Sequence, residues 1–510
     1  MSERPNILFL LADDYGAWAL GCAGNAEVKT PHLDRIAREG VRMTNCFCAS
    51  PVCSPARASI LTGKNPSQHG IHDWLKNGHL TTKTDLDDDL KKGMEDPASP
   101  WYYDWPRTQI GNDHAIAYLS GQTTYTALLA EQGYVCGLSG KWHVGDSFHP
   151  QAGFTFWKTT AMGGDNYYYP VMLEGGKMRM EKGKYVTDLI ADHALEFLET
   201  RPKDKPFYLS VHFTAPHSPW SAMHHPAKYL DMYRDLPLTS TPNVPPHPWA
   251  PNGRKTKAEW EREKHPGIRF SGAHFGPIPE TWQEHRRESL TGYYAAITAM
   301  DDAIGRILEY LDSHGLVNDT LVIFTGDNGM SMGHHGIYGK GNGTKPVNMY
   351  DSAVKVPCLM RLPKAIPPGR VSDAMVSHYD FFQTILDYGN VTYRMPPKMP
   401  GSSMRGVLEG KAEECRKDVV VFDEYGPCRM IRTHEWKLVL RYPEGPNELY
   451  HLADDPDEER NLYGKEGTEK VAGALAKRLD AWFETYLDPA FDGAKEQVRG
   501  GGQIDSHHFV

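Results

Sequence analysis

The chain has 510 residues, of which 40% are hydrophobic and 24% charged, and its formal net charge is −10. This length buries a core without disulfide or metal staples, and the composition excludes collagen-like, disordered and disulfide-scaffold chains. A mild acidic bias argues against a nucleic-acid partner, and no apolar run approaches the roughly 20 residues of a membrane span.

The run Pro5–Ala12 (PNILFLLA) is continuously apolar and predicts a strand buried on both faces of a parallel sheet. It is shorter than a secretory leader and stops at Asp13 and Asp14, so the chain is expected to be cytoplasmic unless a preceding leader has been removed. A helix is expected over Pro31–Glu39, with Thr30 as cap, Pro31 in the first position and Gly40 as stop. Further helices fit Tyr125–Gln132, Asp188–Glu199 and Glu288–Ser313, and strands fit Tyr134–Leu138, Phe207–Phe213 and Thr320–Thr325. This alternation predicts an α/β fold, a large doubly wound mixed or parallel sheet flanked by helices. Residues 76–115 and 220–285 interrupt it with Pro, His, Trp and charge, and loops this long are expected to be functional.

Beyond about residue 400 the apolar pieces shorten, as in Val419–Phe422 and Trp436–Leu440. They predict a smaller antiparallel sheet with a terminal helix, Glu469–Tyr486, capped by Thr468. The expected organisation is a catalytic domain over 1–400, a smaller α+β subdomain over 401–490 and a tail over 491–510. The eight cysteines contain no C-x-x-C pair, so they read as free thiols rather than a zinc cluster.

Asp13 and Asp14 follow one expected strand directly, and Asp327 and Asn328 follow another. Ligands of open α/β sheets bind outside the carboxyl ends of strands, so the two pairs can meet there. Their oxygens suit a hard cation, Ca²⁺ or Mg²⁺, although Asp and Asn are also ordinary turn residues. Cys53 on its own reads as a buried small hydrophobe and Arg57 as an ion-pair member.

The longer string Cys53–Lys64 (CSPARASILTGK) carries C-x-P-x-R and strongly resembles the signature of the type I, formylglycine-dependent sulfatases of the alkaline phosphatase superfamily. The resemblance continues in order through Arg4–Asp14, Gly140–His143 (G-K-x-H), Pro216–Pro219 (P-H-x-P), Thr325–Gly329 (TGDNG), His335–Lys340 (H-G-x-x-x-K) and Glu448–Leu462. It implies an alkaline-phosphatase-like fold and oxidation of Cys53 to formylglycine by a separate maturation enzyme. The hydrated aldehyde supplies two hydroxyls, one to attack sulfur and one to expel sulfate.

The resemblance further implies one divalent cation, Ca²⁺ favoured over Mg²⁺, on Asp13, Asp14, Asp327, Asn328 and modified Cys53. Arg57 would hold the formylglycine hydroxyls, and Lys141 and Lys340 would clamp sulfate. His217, with Lys340, would protonate the leaving alcohol, and His143 would act as base when sulfate is eliminated. Lys345 and His334 compete for motif positions, and spacing favours Lys340 and His335. His335, His72, Trp74 and Trp220 are expected to line the substrate pocket, aromatic rings being suited to sugar faces and cations.

The expected reaction is hydrolysis of a sulfate monoester, on a sulfated carbohydrate or a small organic sulfate. A phosphonate monoester or phosphodiester hydrolase of the same superfamily is the alternative. A plain phosphatase would use Ser or Thr with two metals, which Cys53 argues against. A non-catalytic binding protein would have lost motif residues, and the matched positions are all present.

Overall fold

The computed structural model describes residues 4–75, 78, 79, 85, 86, 88, 115–161, 163, 164, 167–250, 282–423 and 427–495. Most of the expected loop 76–115, part of the loop 220–285 and residues 496–510 of the expected tail lie outside the described residues.

The large sheet is built from β1 (Asn6–Ala12), β2 (Val41–Phe47), β3 (Asp85–Leu86), β4 (Val135–Gly140), β5 (Phe156–Thr160), β6 (Val171–Glu174), β7 (Lys177–Met180), β8 (Phe207–His212) and β9 (Thr320–Gly326). A short hairpin, β10 (Ser331–Met332) with β11 (Tyr338–Gly339), stands apart, and β12 (Cys358–Arg361) and β13 (Arg370–Ser377) complete the sheet. The strand order is β13-β2-β12-β9-β1-β8-β4-β5-β6-β7-β3. The centre, β9-β1-β8-β4-β5, is parallel, while β12 runs antiparallel to both neighbours and β6 to both of its own. The sheet is therefore mixed and doubly wound, as expected of an alkaline-phosphatase-like fold.

Successive residues of a strand point to opposite faces. Along β1, Ile7, Phe9 and Leu11 join one core with the helices Tyr125–Glu131 and Asp380–Tyr388. Leu8, Leu10 and Ala12 join the other core with the helices Pro31–Arg38, Val186–Thr200 and Trp282–Ser313. This double burial is why the run is apolar throughout.

The small antiparallel sheet, β14 (Val419–Asp423), β15 (Cys428–Arg432), β16 (Trp436–Arg441) and β17 (Glu448–His451), is ordered β14-β15-β16-β17. Val419 and Val421 pack into the first large core, whereas Val420 and Phe422 pack against Leu475, Leu479 and Phe483 of the helix Glu469–Tyr486.

Two expected caps are replaced. The Thr30 hydroxyl accepts from Gly21 N and donates to Asp34, so it does not cap Pro31–Arg38. Asp301 does so from the long helix, its carboxylate accepting from His32 N at 3.0 Å and Leu33 N at 2.8 Å. The Thr468 hydroxyl donates back to Leu462 O and Lys465 O instead of capping the terminal helix.

Candidate active site

Strand register assembles the site. Ala12 lies opposite Gly326 on neighbouring strands, so the turns that follow bring Asp13 and Asp14 beside Asp327 and Asn328. Asp14 N donates to Asp327 Oδ1 at 3.1 Å, and Asn328 Nδ2 donates to Asp14 Oδ1 at 2.8 Å. Gly140 lies opposite His212 and delivers Lys141 and His143 to the same edge. A Cβ at Gly140, whose φ is +103°, would stand 2.0 Å from His212 O, so the chain can turn there only as glycine.

Cys53 opens a helix, Cys53–Thr62, whose ten residues are all buried. Arg57 lies four residues on and therefore on the same helix face. Its guanidinium donates through Nε to Asp327 Oδ2 at 2.9 Å and through Nη1 to Lys141 O at 2.9 Å. Cys53 Sγ lies 3.4 Å from Asp13 Oδ1 and 2.7 Å from Lys340 Nζ. Lys340 also pairs with Asp14 Oδ1 at 2.6 Å, and Lys141 pairs with Asp13. His217 faces the cluster from its more open side, with Nε2 3.6 Å from Asp14 Oδ2.

Burial, then the charge of Asp13, pushes the Cys53 thiol up to about 12. Burial also raises Asp13, with the nearby Asp327 charge adding to it. Burial opposes ionisation of Asp14, but Lys340 and His217 outweigh it and hold that carboxyl low. For Asp327 burial is outweighed by Arg57 and the two lysines, so it too is held low. Burial, reinforced by Lys141, holds the His143 imidazole well below its usual range. His143 Nε2 bonds Leu75 O at 3.1 Å. A carbonyl only accepts, so the proton sits on Nε2 and Nδ1 is the ring's basic atom.

The donor set suits a hard divalent cation. Asp13, Asp14 and Cys53 bring ligand atoms within 4.8 Å of one another. Asn328 Oδ1 is buried without a hydrogen-bond partner, as are Arg57 Nη2 and His143 Nδ1. A buried polar atom without a partner is open to a group that binds there, and Asn328 carries one beside Asp14.

The structure thus brings together Asp13, Asp14, Cys53, Arg57, Lys141, His217, Asp327, Asn328 and Lys340, and it favours Lys340 over the exposed Lys345. The four expected pocket residues fare differently. Trp74 is 37% exposed and offers a face to solvent. Trp220 does not: it is interior, donating to Pro216 O and packing edge-on against Tyr293. His72 is likewise buried beside Phe491, and burial lowers its imidazole to about 3. His335 stacks on Tyr350 with ring centres 3.7 Å apart and borders a cavity of about 400 Å³ with His334, Trp18 and Lys355. None of the cluster residues is among the described lining of that cavity.

Sequence reasoning missed Tyr293 and Gly163. The Tyr293 hydroxyl donates to Asp14 O at 2.9 Å and accepts from Gly16 N, fixing the turn that carries the acidic pair. A Cβ on Gly163 would stand 2.2 Å from His143 Nε2. Neither residue belongs to a recognisable motif, so no local signal identifies it.

Comparison with known proteins matches the chain to sulfatases. The family model described as Sulfatase matches residues 5–391, and one described as N-sulphoglucosamine sulphohydrolase, C-terminal, matches residues 333–484. An N-acetylglucosamine-6-O-sulfatase of Bacteroides thetaiotaomicron is 29% identical, covering 96% of this chain and 88% of that protein. An ulvan-active sulfatase of Formosa agariphila is 28% identical over 94% of this chain and 80% of its own length. A solved structure of a protein in complex with its substrate D-glucosamine-2-N,6-O-disulfate is 26% identical with a TM-score of 0.74, covering 97% of this chain and all of that one.

Proposed function

Because the chain belongs to the sulfatase family and is a sulfuric ester hydrolase, we propose that it removes sulfate from a sulfated carbohydrate, using a formylglycine made from Cys53 and a divalent cation. The observation that carries this reading is the convergence of Lys340, Asp13 and Asp14 on the buried Cys53, with Lys141 on Asp13 and Arg57 on Asp327 and Asp13. A sulfated amino sugar is the first substrate to try, since similar proteins are named for such esters.

Asp13, Asp14, Asp327, Asn328 and modified Cys53 would hold the cation. It would supply positive charge opposite the oxygens that gain charge in the transition state. Ca²⁺ fits a crowded, buried oxygen cage better than Mg²⁺, which keeps several waters. The hydrated formylglycine would supply one hydroxyl as nucleophile and a second whose deprotonation breaks the other C–O bond, expelling sulfate and restoring the aldehyde.

The remaining work falls to the chain's own side chains. Lys340, 2.7 Å from Sγ, reaches a group bonded to the nucleophile, and Lys141 pairs with Asp13, the acid beside that nucleophile. Arg57 orients the nucleophile with Nη2, which makes no hydrogen bond and lies 3.9 Å from Asp13 Oδ1, while its other nitrogens are tied to Asp327 and Lys141. His217 Nε2, on the open side, delivers a proton to the leaving alcohol. His143 Nδ1 takes the proton of the second hydroxyl as sulfate is released.

The test uses protein whose Cys53 peptide carries the aldehyde by mass. It compares kcat/KM for one aryl alcohol as its sulfate and as its phenylphosphonate ester, with Cys53→Ala as blank. Sulfate is expected to be preferred, 6-O-sulfated glucosamine to be desulfated, and a chelator to abolish turnover until Ca²⁺ is restored. Preference for the phosphonate would replace sulfate by a phosphorus ester, and full activity in chelator would remove the cation.

A further inference from the structure

Pro216–Pro219, the segment that carries His217, has each of its four backbone carbonyls bonded by a side-chain donor. Trp220 Nε1 donates to Pro216 O at 2.9 Å, Tyr167 Oη to His217 O at 2.7 Å, His217 Nδ1 to Ser218 O at 2.7 Å and His225 Nε2 to Pro219 O at 3.0 Å. Two of the four residues are prolines with no N–H, so a strand or helix ladder cannot hold the segment. Side chains do it instead, and the donors from outside the segment are interior: Tyr167 is 0%, Trp220 1% and His225 3% exposed.

These donors are themselves held. His225 Nδ1 accepts from Tyr185 Oη at 3.1 Å, which together with its Nε2–H fixes a single tautomer. The Tyr167 ring stacks on Tyr185 at 5.5 Å and meets His225 edge-on at 4.6 Å, so the three rings form one brace behind the segment. Because Ser218 O only accepts, its bond places a proton on His217 Nδ1 and leaves Nε2 directed at the Asp14 side of the cluster.

We propose that Tyr167 and His225 are positioning residues that hold the His217 imidazole in line to protonate the leaving alcohol. The proposal rests on the reading of His217 as the acid. A displacement of about 1 Å in a group that transfers a proton can cost about a hundredfold in rate, so a brace of this kind has a kinetic signature of its own.

That signature is a dependence on the leaving group. An alkyl or sugar sulfate needs its oxygen protonated as it departs, whereas a nitrophenyl sulfate does not. Tyr167→Phe keeps the ring contacts and removes only the donor to His217 O. It is expected to lower kcat/KM about tenfold on an alkyl sulfate and less than about threefold on nitrophenyl sulfate. Tyr185→Phe, which releases His225, is expected to act in the same direction and provides the comparison should Tyr167→Phe not fold. His217→Ala, measured alongside, should give the same pattern with a larger loss. Equal losses on both esters, or none, in the Tyr167 and Tyr185 variants while His217→Ala discriminates would overturn the brace alone. No discrimination by His217→Ala would overturn the acid assignment, and the brace with it.

Discussion

Cys53 takes its properties from what surrounds it. With its thiol pushed up to about 12 by burial and by Asp13, the unconverted residue is held as the thiol at pH 8, and thiolate is the reactive form. The folded, unconverted protein is therefore expected to leave Cys53 unlabelled by iodoacetamide at pH 8. Its labelling rate should rise about tenfold per pH unit above that, and urea should expose it at once. Peptide mass spectrometry reads the label, and rapid labelling of native protein at pH 8 would contradict the buried, acid-flanked thiol. At this scale the sequence was informative wherever chemistry sits in short strings, as in Asp13-Asp14, Asp327-Asn328 and the Cys53–Arg57 turn. It was poor at telling which aromatic or imidazole faces a ligand, because exposure depends on distant packing. Trp220, one residue past a motif, is a structural support, while Trp74 remains open to solvent.

The elements that reach the site do so through their ends. β1, β4, β8 and β9 are neighbours running the same way, so their carboxyl ends deliver residues far apart in sequence to one edge. The apolar runs of β1, β8 and β9 were legible because both sheet faces are buried. β2 (VRMTNCF) was not, because polar residues interrupt it, and β12 is only four residues long. Helix periodicity found the two longest helices around the large sheet, Val186–Thr200 and Trp282–Ser313, and the shorter Pro31–Arg38 and Tyr125–Glu131, but it missed Asp380–Tyr388 and not one N-cap was read correctly from it. Asp301 shows why: it lies 270 residues beyond Pro31 in the chain, so no local pattern contains the pair. Replacing Asp301 by Ala is expected to cost about 1–2 kcal/mol, the ordinary worth of a helix cap, measurable by urea denaturation; an unchanged midpoint would refute its role. Burial raises this carboxyl to about 7 in the folded protein, above its unfolded range near 4. Its linkage contribution is therefore complete below about pH 4 and is lost as pH rises through 7. Asp301→Asn, which does not titrate, should show a flatter stability profile across that window.

Across the whole molecule the small sheet is fastened to the large one by charge as well as by core. Lys437, fully buried, pairs with Asp351 at 2.7 Å and with Glu458, while Arg432 reaches Asp351 at 3.1 Å. Arg441 adds a bond to Val347 O at 2.9 Å, within the stretch that follows Lys340. Replacing Lys437 by Met would take the lysine away from the buried Glu458 while Asp351 keeps Arg432 and Lys355, and is expected to cost about 3 kcal/mol. A fall of less than about 1 kcal/mol in denaturant unfolding would show that the hub is dispensable. The sequence suggested a second sheet but not this fastening, since Asp351, Lys437 and Glu458 belong to three separate segments. The same long-range closure bears on the order of events during synthesis. Cys53 ends up 3% exposed inside a wholly buried helix, and the walls around it include Asp327 and Lys340, made some 270 to 290 residues later. At roughly 5–20 residues per second, a ribosome leaves a window of roughly 15 s to a minute between the cysteine and its enclosure. Under the mechanism proposed above, oxidation of Cys53 by a second enzyme would have to fall in that interval, and a chain that closed first would keep the thiol for as long as it stayed folded.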